Sequence, residues 1–435
     1  MIFVSVGFLF FNLLLPKTLH SLKILQQILC LLLFYQFGYA QTDLQDPPHI
    51  KTVLLTALTA NANTPFIQLG EAFQLRFDDL RAEEADYSYR ITHCDLNWQA
   101  SGLLESEYIA GYATQRIDGY ENAFNTLQPY THYELTIPNQ YTRLKLSGNH
   151  TITVLDENDQ AVFQRRFVVY EPMTSVGVSI HKSRDIRLIN HLQSVEFSIH
   201  HPKIRIDRPA AEVFPVILQN VDWQTAISGL TPQFYRGDQL LYKYDKESRF
   251  WGGNEFLYFD TKSIRNSSLH IARAELGANL YHTYLYTDQK RVGQPYTLLE
   301  DINGGFVVRT LDSDDQHREA DYSWVHFSLE NPGDQQGKEL YISGRFNNWA
   351  LTAENKMAYH AETGSYRKAI LLKQGFYNYR YVSKSSDGDI RNFQISGSHY
   401  QTENQYTVIV YYRKFGARYT RVIGLGQGSS TIINP

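Results

Sequence analysis

The chain has 435 residues, 43% of them hydrophobic and 14% aromatic, with 31 Tyr and 24 Phe against 3 Met. Such a length accommodates roughly two to four domains with sizeable cores, and the aromatic usage leans toward strands. The formal net charge is −4, and a modestly acidic chain does not attract phosphate backbones, so nucleic-acid binding is excluded as the main role.

The N-terminus predicts a signal peptide over residues 1–40. Lys17 and Lys23 precede the apolar run from Ile28 to Tyr35, and Gly38 and Ala40 are the small residues that a signal peptidase reads. The uncharged stretch from Ile24 to Ala40 is at the short end of a membrane span, so the exported chain, beginning near Gln41, is not expected to cross a membrane. Without Lys17 and Lys23 it carries 39 basic against 45 acidic residues, a net −6. Of the two cysteines only Cys94 remains, which excludes an internal disulfide and leaves the fold to its cores.

Downstream, alternating apolar runs recur: Phe73, Leu75, Phe77; Tyr87, Tyr89, Ile91; Tyr133, Leu135, Ile137; Val195, Phe197, Ile199; Tyr377, Tyr379, Tyr381; Tyr406, Val408, Val410, Tyr412. Period two puts each set on one strand face, and the turn residues between them close the strands quickly. The expected class is all-β, with tandem immunoglobulin-like (early-set) sandwiches. Linker composition predicts a first sandwich over 41–172, a second β domain over 173–311, a polar linker over 312–321, a third sandwich over 322–412 and a glycine-bearing tail over 413–435.

Two sets of residues carry a resemblance. HCDLNWQASGLLESEYIAGY (residues 93–112) and FNTLQPYTHYELTIPN (124–139) resemble the opening domain of the periplasmic plug proteins of the type IX secretion system, and the likeness continues in FWGGNEFLYFDTKSI (250–264), EADYSWVHFSL (319–329), LYISGRFNNW (340–349) and TENQYTVIVYYRKFGARYTRVIG (402–424). The resemblance implies a non-enzymatic protein of the periplasm, at the inner face of the outer membrane, that closes a wide β-barrel translocon, its partner. Separately, the strand and turn around Gly344 to Trp349, followed by a hairpin at Lys373 to Gly375, resemble early-set domains of glycogen-processing enzymes. That likeness implies an alternative, a periplasmic carbohydrate-binding module contacting sugar through Trp349, Asn347, Asn348 and Tyr377. The packing alternative sends Trp349 inward and leaves the asparagines to shape the turn.

No catalytic, metal or cofactor set emerges. His93 and Cys94 are consecutive on a strand and point to opposite faces, so they do not converge on one ion. His132 lacks a partner motif. The run Asp312 to Asp315 lacks the glycine and terminal glutamate of a calcium loop, and Gly424, Gly426 and Gly428 are followed by no helix to make a phosphate turn. For the barrel, the candidate contacts are the aromatic turn at Phe250 and Trp251 and the segment from Glu107 to Tyr120, with Tyr108 and Tyr120 as its aromatics.

Overall fold

The computed structural model describes residues 44–58, 64–333, 335, 337–431 and 433, so the expected signal segment lies outside the described residues. What is described is three all-β sandwiches. In the first, the strands Ile50–Ala57, Phe73–Asp79, Thr131–Ile137 and Gly119–Asn122 form one sheet in that order, and Phe66–Gln68, Ala161–Tyr170, Gly148–Leu155, Ser88–Cys94 and Thr114–Arg116 form the other. Alternation explains the packing: Phe73, Leu75 and Phe77 all point inward and are buried. Phe73 meets Phe167 and Phe77 meets Phe163 across the sandwich, both with ring centroids 5.0 Å apart. Each buried aromatic contributes about 1.5–3 kcal/mol by leaving water, which lets the layers hold without a disulfide. Their polar ends are satisfied: Tyr133 Oη donates to the Ala85 carbonyl at 2.8 Å and Tyr87 Oη to Asp79 at 2.9 Å.

The second sandwich departs from the expected boundaries. One sheet holds Ser175–Lys182, Leu192–His200, Gln239–Tyr242 and Phe234–Arg236, with Arg249–Trp251 beside Leu192–His200. The facing sheet runs Asp222–Ile227, Val213–Gln219, Gln405–Tyr412, Arg421–Ser429, so half of it comes from the end of the chain. Val213 pairs with Tyr412 and Gln219 with Tyr406 in antiparallel register. The strand at 405–412, expected in the third domain, therefore completes the second. The expected tail contains a strand whose Val422 and Ile423 are fully buried.

Between the two halves of the second sandwich the chain makes the third. Its core joins Phe259, Ile271, Leu285 and Phe306, all placed by sequence in the second domain, to Val325, Phe327, Ile342, Tyr377 and Tyr381. The expected polar linker at 312–321 is not a free spacer either: Asp315 caps the short helix Gln316–Glu319, and Ala320 and Asp321 are buried. The physical reason is the same in each case. An inserted sandwich splits its host, and a polar connection that crosses a junction looks like a solvated one from composition alone.

The glycines near the C-terminus allow close sheet packing rather than flexibility. A Cβ on Gly426 would lie 2.6 Å from both the Cβ and the carbonyl oxygen of Val176 on the opposing strand. Gly426→Val is expected to cost about 1–3 kcal/mol by overpacking, read as a lowered urea midpoint. An unchanged midpoint would mean that residues 421–429 do not pack on the second sandwich.

A smaller apolar cluster joins the first sandwich to the second. Cys94, Trp98 and Val168 pack against Leu218, Ile409, Tyr411 and Val422, and Tyr411 Oη donates to Asn149 Oδ1 at 2.7 Å.

Candidate functional site

Local context decides which sequence-selected residues reach the surface. In the strand Arg249–Trp251, Phe250 turns inward and packs on Tyr406 at 5.3 Å, so it is buried and corrects the expectation of a surface contact. Trp251 faces outward, 41% exposed, and stacks on Phe393 at 3.9 Å. Tyr108 is likewise buried, its hydroxyl donating to the Ile91 carbonyl at 3.3 Å. Tyr120, 36% exposed, leans on Tyr133. Trp251 and Tyr120 thus remain as exposed aromatics on two different sandwiches, and Leu104, Tyr112 and Phe124 add exposed apolar surface to the first.

The four sugar-contact candidates come together, but not as a sugar platform. Asn347, Asn348, Trp349 and Tyr377 line one cleft of about 610 Å³ between the sandwiches. Tyr377 is 1% exposed, its ring stacked between Phe259 and Phe306 at 5.2 and 5.4 Å. Trp349 is 4% exposed, with the Arg380 guanidinium 4.6 Å over its ring. Asn347 accepts from the Gly344 amide and donates to the Ile342 carbonyl, and Asn348 and Trp349 take left-handed backbone at φ 52° and 59°. Both aromatic faces that sugar stacking needs are already occupied, so the packing alternative describes these residues.

The cysteine and histidines of the first domain are also interior. Burial pushes the Cys94 thiol up to about 11, away from nucleophile range. Burial lowers the His93 pKa, the Ser147 carbonyl opposing, and the imidazole also contacts Ser101 Oγ at 2.8 Å. Among the described residues no group of three His, Cys, Asp or Glu side chains is placed to hold a metal ion.

The densest polar constellation lies where the first sandwich meets the third. Asp78, fully buried, accepts from Lys373 Nζ and Tyr322 Oη, both at 2.6 Å, and sits 2.6 Å from His132 Nδ1. Lys373 also donates to the His317 carbonyl at 2.7 Å and lies 4.1 Å over the Tyr130 ring. Burial opposes ionisation of Asp78, but the Lys373 charge and the His132 hydrogen bond outweigh it and hold the carboxyl below its ordinary range. Burial draws the Lys373 ammonium down in turn, with Asp78 opposing. Asp321 extends the seam by accepting the amides of Leu127 and Gln128 at 2.7 and 3.0 Å. A charge pair this dry fixes one geometry, because sliding the sandwiches apart strands a buried ion.

A second junction gathers around Glu255. Its carboxyl accepts from Tyr296 Oη and from the Glu403 amide, while Asp301 accepts the amides of Phe256 and Asn303 at 2.6 and 2.7 Å. Burial raises both carboxyls, Glu255 to about 7 and Asp301 to about 6.

The model of the type 9 secretion system plug protein 1st domain matches residues 50–171, and along most of its length the chain is similar to a crystal structure of a hypothetical protein from Parabacteroides merdae ATCC 43184. That likeness has 32% identity over 89% of this chain and 98% of the other, with a TM-score of 0.85. The chain belongs to the type 9 secretion system plug protein family. A crystal structure of dimeric latent PorU from Porphyromonas gingivalis matches at 17% identity over 51% of this chain and 18% of that one, with a TM-score of 0.15, which carries no structural argument. None of the curated proteins matches.

Membership of the plug protein family ties the chain to type IX secretion and to the cell envelope, in a family that is not one of enzymes. No helix among the described residues is long and apolar enough to cross a membrane. Within the family domain, the motif residues Tyr130 and His132 line the seam to the third sandwich, where they meet Ala320, Lys373 and Tyr322. In the sequence Lys373 marks only a hairpin, and nothing singles out Asp78 or Asp321. The one available signal was a lysine at the end of an apolar strand, which composition cannot distinguish from a solvated strand end.

Proposed function

We propose that the protein is a non-enzymatic periplasmic plug: exported with loss of residues 1–40, it docks on the inner face of the outer membrane and closes the β-barrel translocon of the type IX secretion system. The observation that carries this reading is the match of residues 50–171 to the plug protein first domain. The physics agrees with it. A barrel wide enough to pass folded protein has a water-filled lumen, so its closed state needs a stopper. A stopper must not deform, and three sandwiches joined by an apolar cluster, a buried ion pair and the hydrogen-bonded junction around Glu255 resist deformation. Reversible release calls for a contact that is part aromatic and part polar rather than a continuous greasy face. Trp251 and Tyr120, exposed aromatics on two different sandwiches, fit the aromatic part of that requirement.

The test is capture of the protein from solubilised outer membranes together with a permeability assay. The wild type is expected to bring down a large β-barrel, and a deletion strain is expected to admit a bulky antibiotic normally excluded. Combined Trp251→Ala and Tyr120→Ala is expected to weaken capture by about 2 kcal/mol or more, the range of interface anchors. Unchanged capture removes these two residues from the interface; a deletion strain as tight as its parent overturns the plug itself.

A further inference from the structure

One cation in the cleft between the sandwiches has no counter-charge. The carboxylates on the cleft walls are each engaged: Asp46 by Arg165 through two hydrogen bonds, Glu354 by Lys51 at 3.0 Å, and Asp222 by Arg380 at 2.6 Å. Arg345 lines a side chamber of about 100 Å³ that shares Trp223, Phe346 and Trp349 with the main cleft. Its backbone is fixed by the turn Arg345–Asn347 and by a hydrogen bond from its amide N–H to the Gly304 carbonyl at 2.8 Å, but no carboxylate in the described residues pairs with its guanidinium. Enclosure alone, with no charged neighbour contributing, lowers its pKa to about 10. The residue is half-buried, so its guanidinium faces the chamber rather than being sealed in a core, and an incoming anion can reach it.

We infer that the chamber is a binding site for a carboxylate carried on an apolar stem, with Arg345 gripping the carboxylate. One guanidinium presents two parallel N–H donors, the geometry that matches a planar carboxylate. Arg165 and Arg166 line the same chamber, so charge alone does not choose among anions; the apolar walls do, because inorganic phosphate has no stem to bury on them. Trp223, Phe346 and Val53 beside the chamber offer apolar surface to the stem, and the volume of the main cleft lies within the ordinary range for small-molecule sites. A free organic acid and the C-terminal residue of a peptide share this chemistry. Because the cleft walls come from all three sandwiches, an occupant bridges them. The site stands independently of the plug reading, since it is measured on the isolated protein.

The experiment is titration calorimetry and thermal melting of the mature chain with 4-phenylbutyrate, with a pentapeptide ending in leucine as the free acid and as the amide, and with inorganic phosphate. Binding of the carboxylates is expected, with a raised melting midpoint, no effect of phosphate, and no binding of the amidated peptide. Tighter binding of the peptide acid identifies a chain terminus as the source; tighter binding of phenylbutyrate identifies a free acid. Arg345→Met is expected to weaken binding on the order of tenfold to a hundredfold while leaving the ligand-free midpoint equal or higher, because it removes an unpaired charge and keeps the stem. Arg345→Lys, which keeps the charge and loses the fork, is expected to fall between. A ligand-free midpoint that drops on Arg345→Met with carboxylate binding unchanged, phosphate binding as tight as carboxylate, or no carboxylate binding at all would each overturn the inference.

Discussion

Asp78→Ala is expected to destabilise the protein by about 3–5 kcal/mol, because it leaves the Lys373 ammonium, 1% exposed, with no counter-charge between the first and third sandwiches. Against a total stability on the order of 5–15 kcal/mol that is a large fraction. The change also removes the acceptor of Tyr322 Oη and the partner of His132. The wild type is expected to melt in one transition, since three junctions couple the sandwiches, whereas in the variant the first sandwich is expected to melt separately. Pairing Asp78→Ala with Lys373→Met is expected to recover part of the loss, because the stranded charge is gone. Calorimetric scans of the three proteins check this. Full, single-transition stability in Asp78→Ala would show that the seam admits water and that the ion pair does not set the arrangement of the sandwiches.

Glu255→Gln is expected to make the protein more stable than the wild type at pH 8 and close to it at pH 4.5. Burial raises the Glu255 carboxyl from its ordinary 4.5 to about 7, and the charges of Asp301 and Glu403 push the same way. A carboxyl raised on folding binds its proton more tightly in the folded state than in the unfolded one. Its favourable contribution is therefore complete below the unfolded value and lost as pH rises through the folded one, a window from about 4.5 to 7. The size is about 3 kcal/mol, as a shift of this extent implies. Glu255 Oε2 is buried and has no hydrogen-bond donor of its own, so nothing offsets the loss of water around a charge on that oxygen. Glutamine keeps an oxygen for Tyr296 and the Glu403 amide and cannot ionise. Urea midpoints of both proteins across pH 4.5–8 provide the measurement. A difference that stays flat with pH would remove Glu255 as the titrating group.

Much of the architecture was legible because strand faces declare themselves locally. The alternating sets at Phe73, Leu75, Phe77 and at Tyr377, Tyr379, Tyr381 are strands with those side chains inward. The inward turn of Trp349 followed from a Gly-Arg-Phe-Asn-Asn-Trp turn whose asparagines shape the backbone. Phe250 and Trp251 show the limit. Neighbours on a strand point to opposite faces, so only one of the pair can be presented, and composition does not say which. The surface or interior fate of Tyr108 was hidden in the same way, in a four-residue helix too short to show a periodicity.

The amino-acid sequence alone determined an all-β chain, its likeness to the plug proteins and the buried faces of its alternating strands, since periodicity and motif are properties of contiguous stretches. Only the tertiary structure decided that residues 405–429 return to complete the second sandwich and that the third is inserted within it. It likewise decided that Asp78 meets Lys373 across 295 positions and that Arg345 faces a chamber with its charge unmatched. The reason is that strand order and ion pairing depend on where whole sheets come to rest. A local pattern is compatible with many such arrangements, and the burial of distant residues together selects one of them.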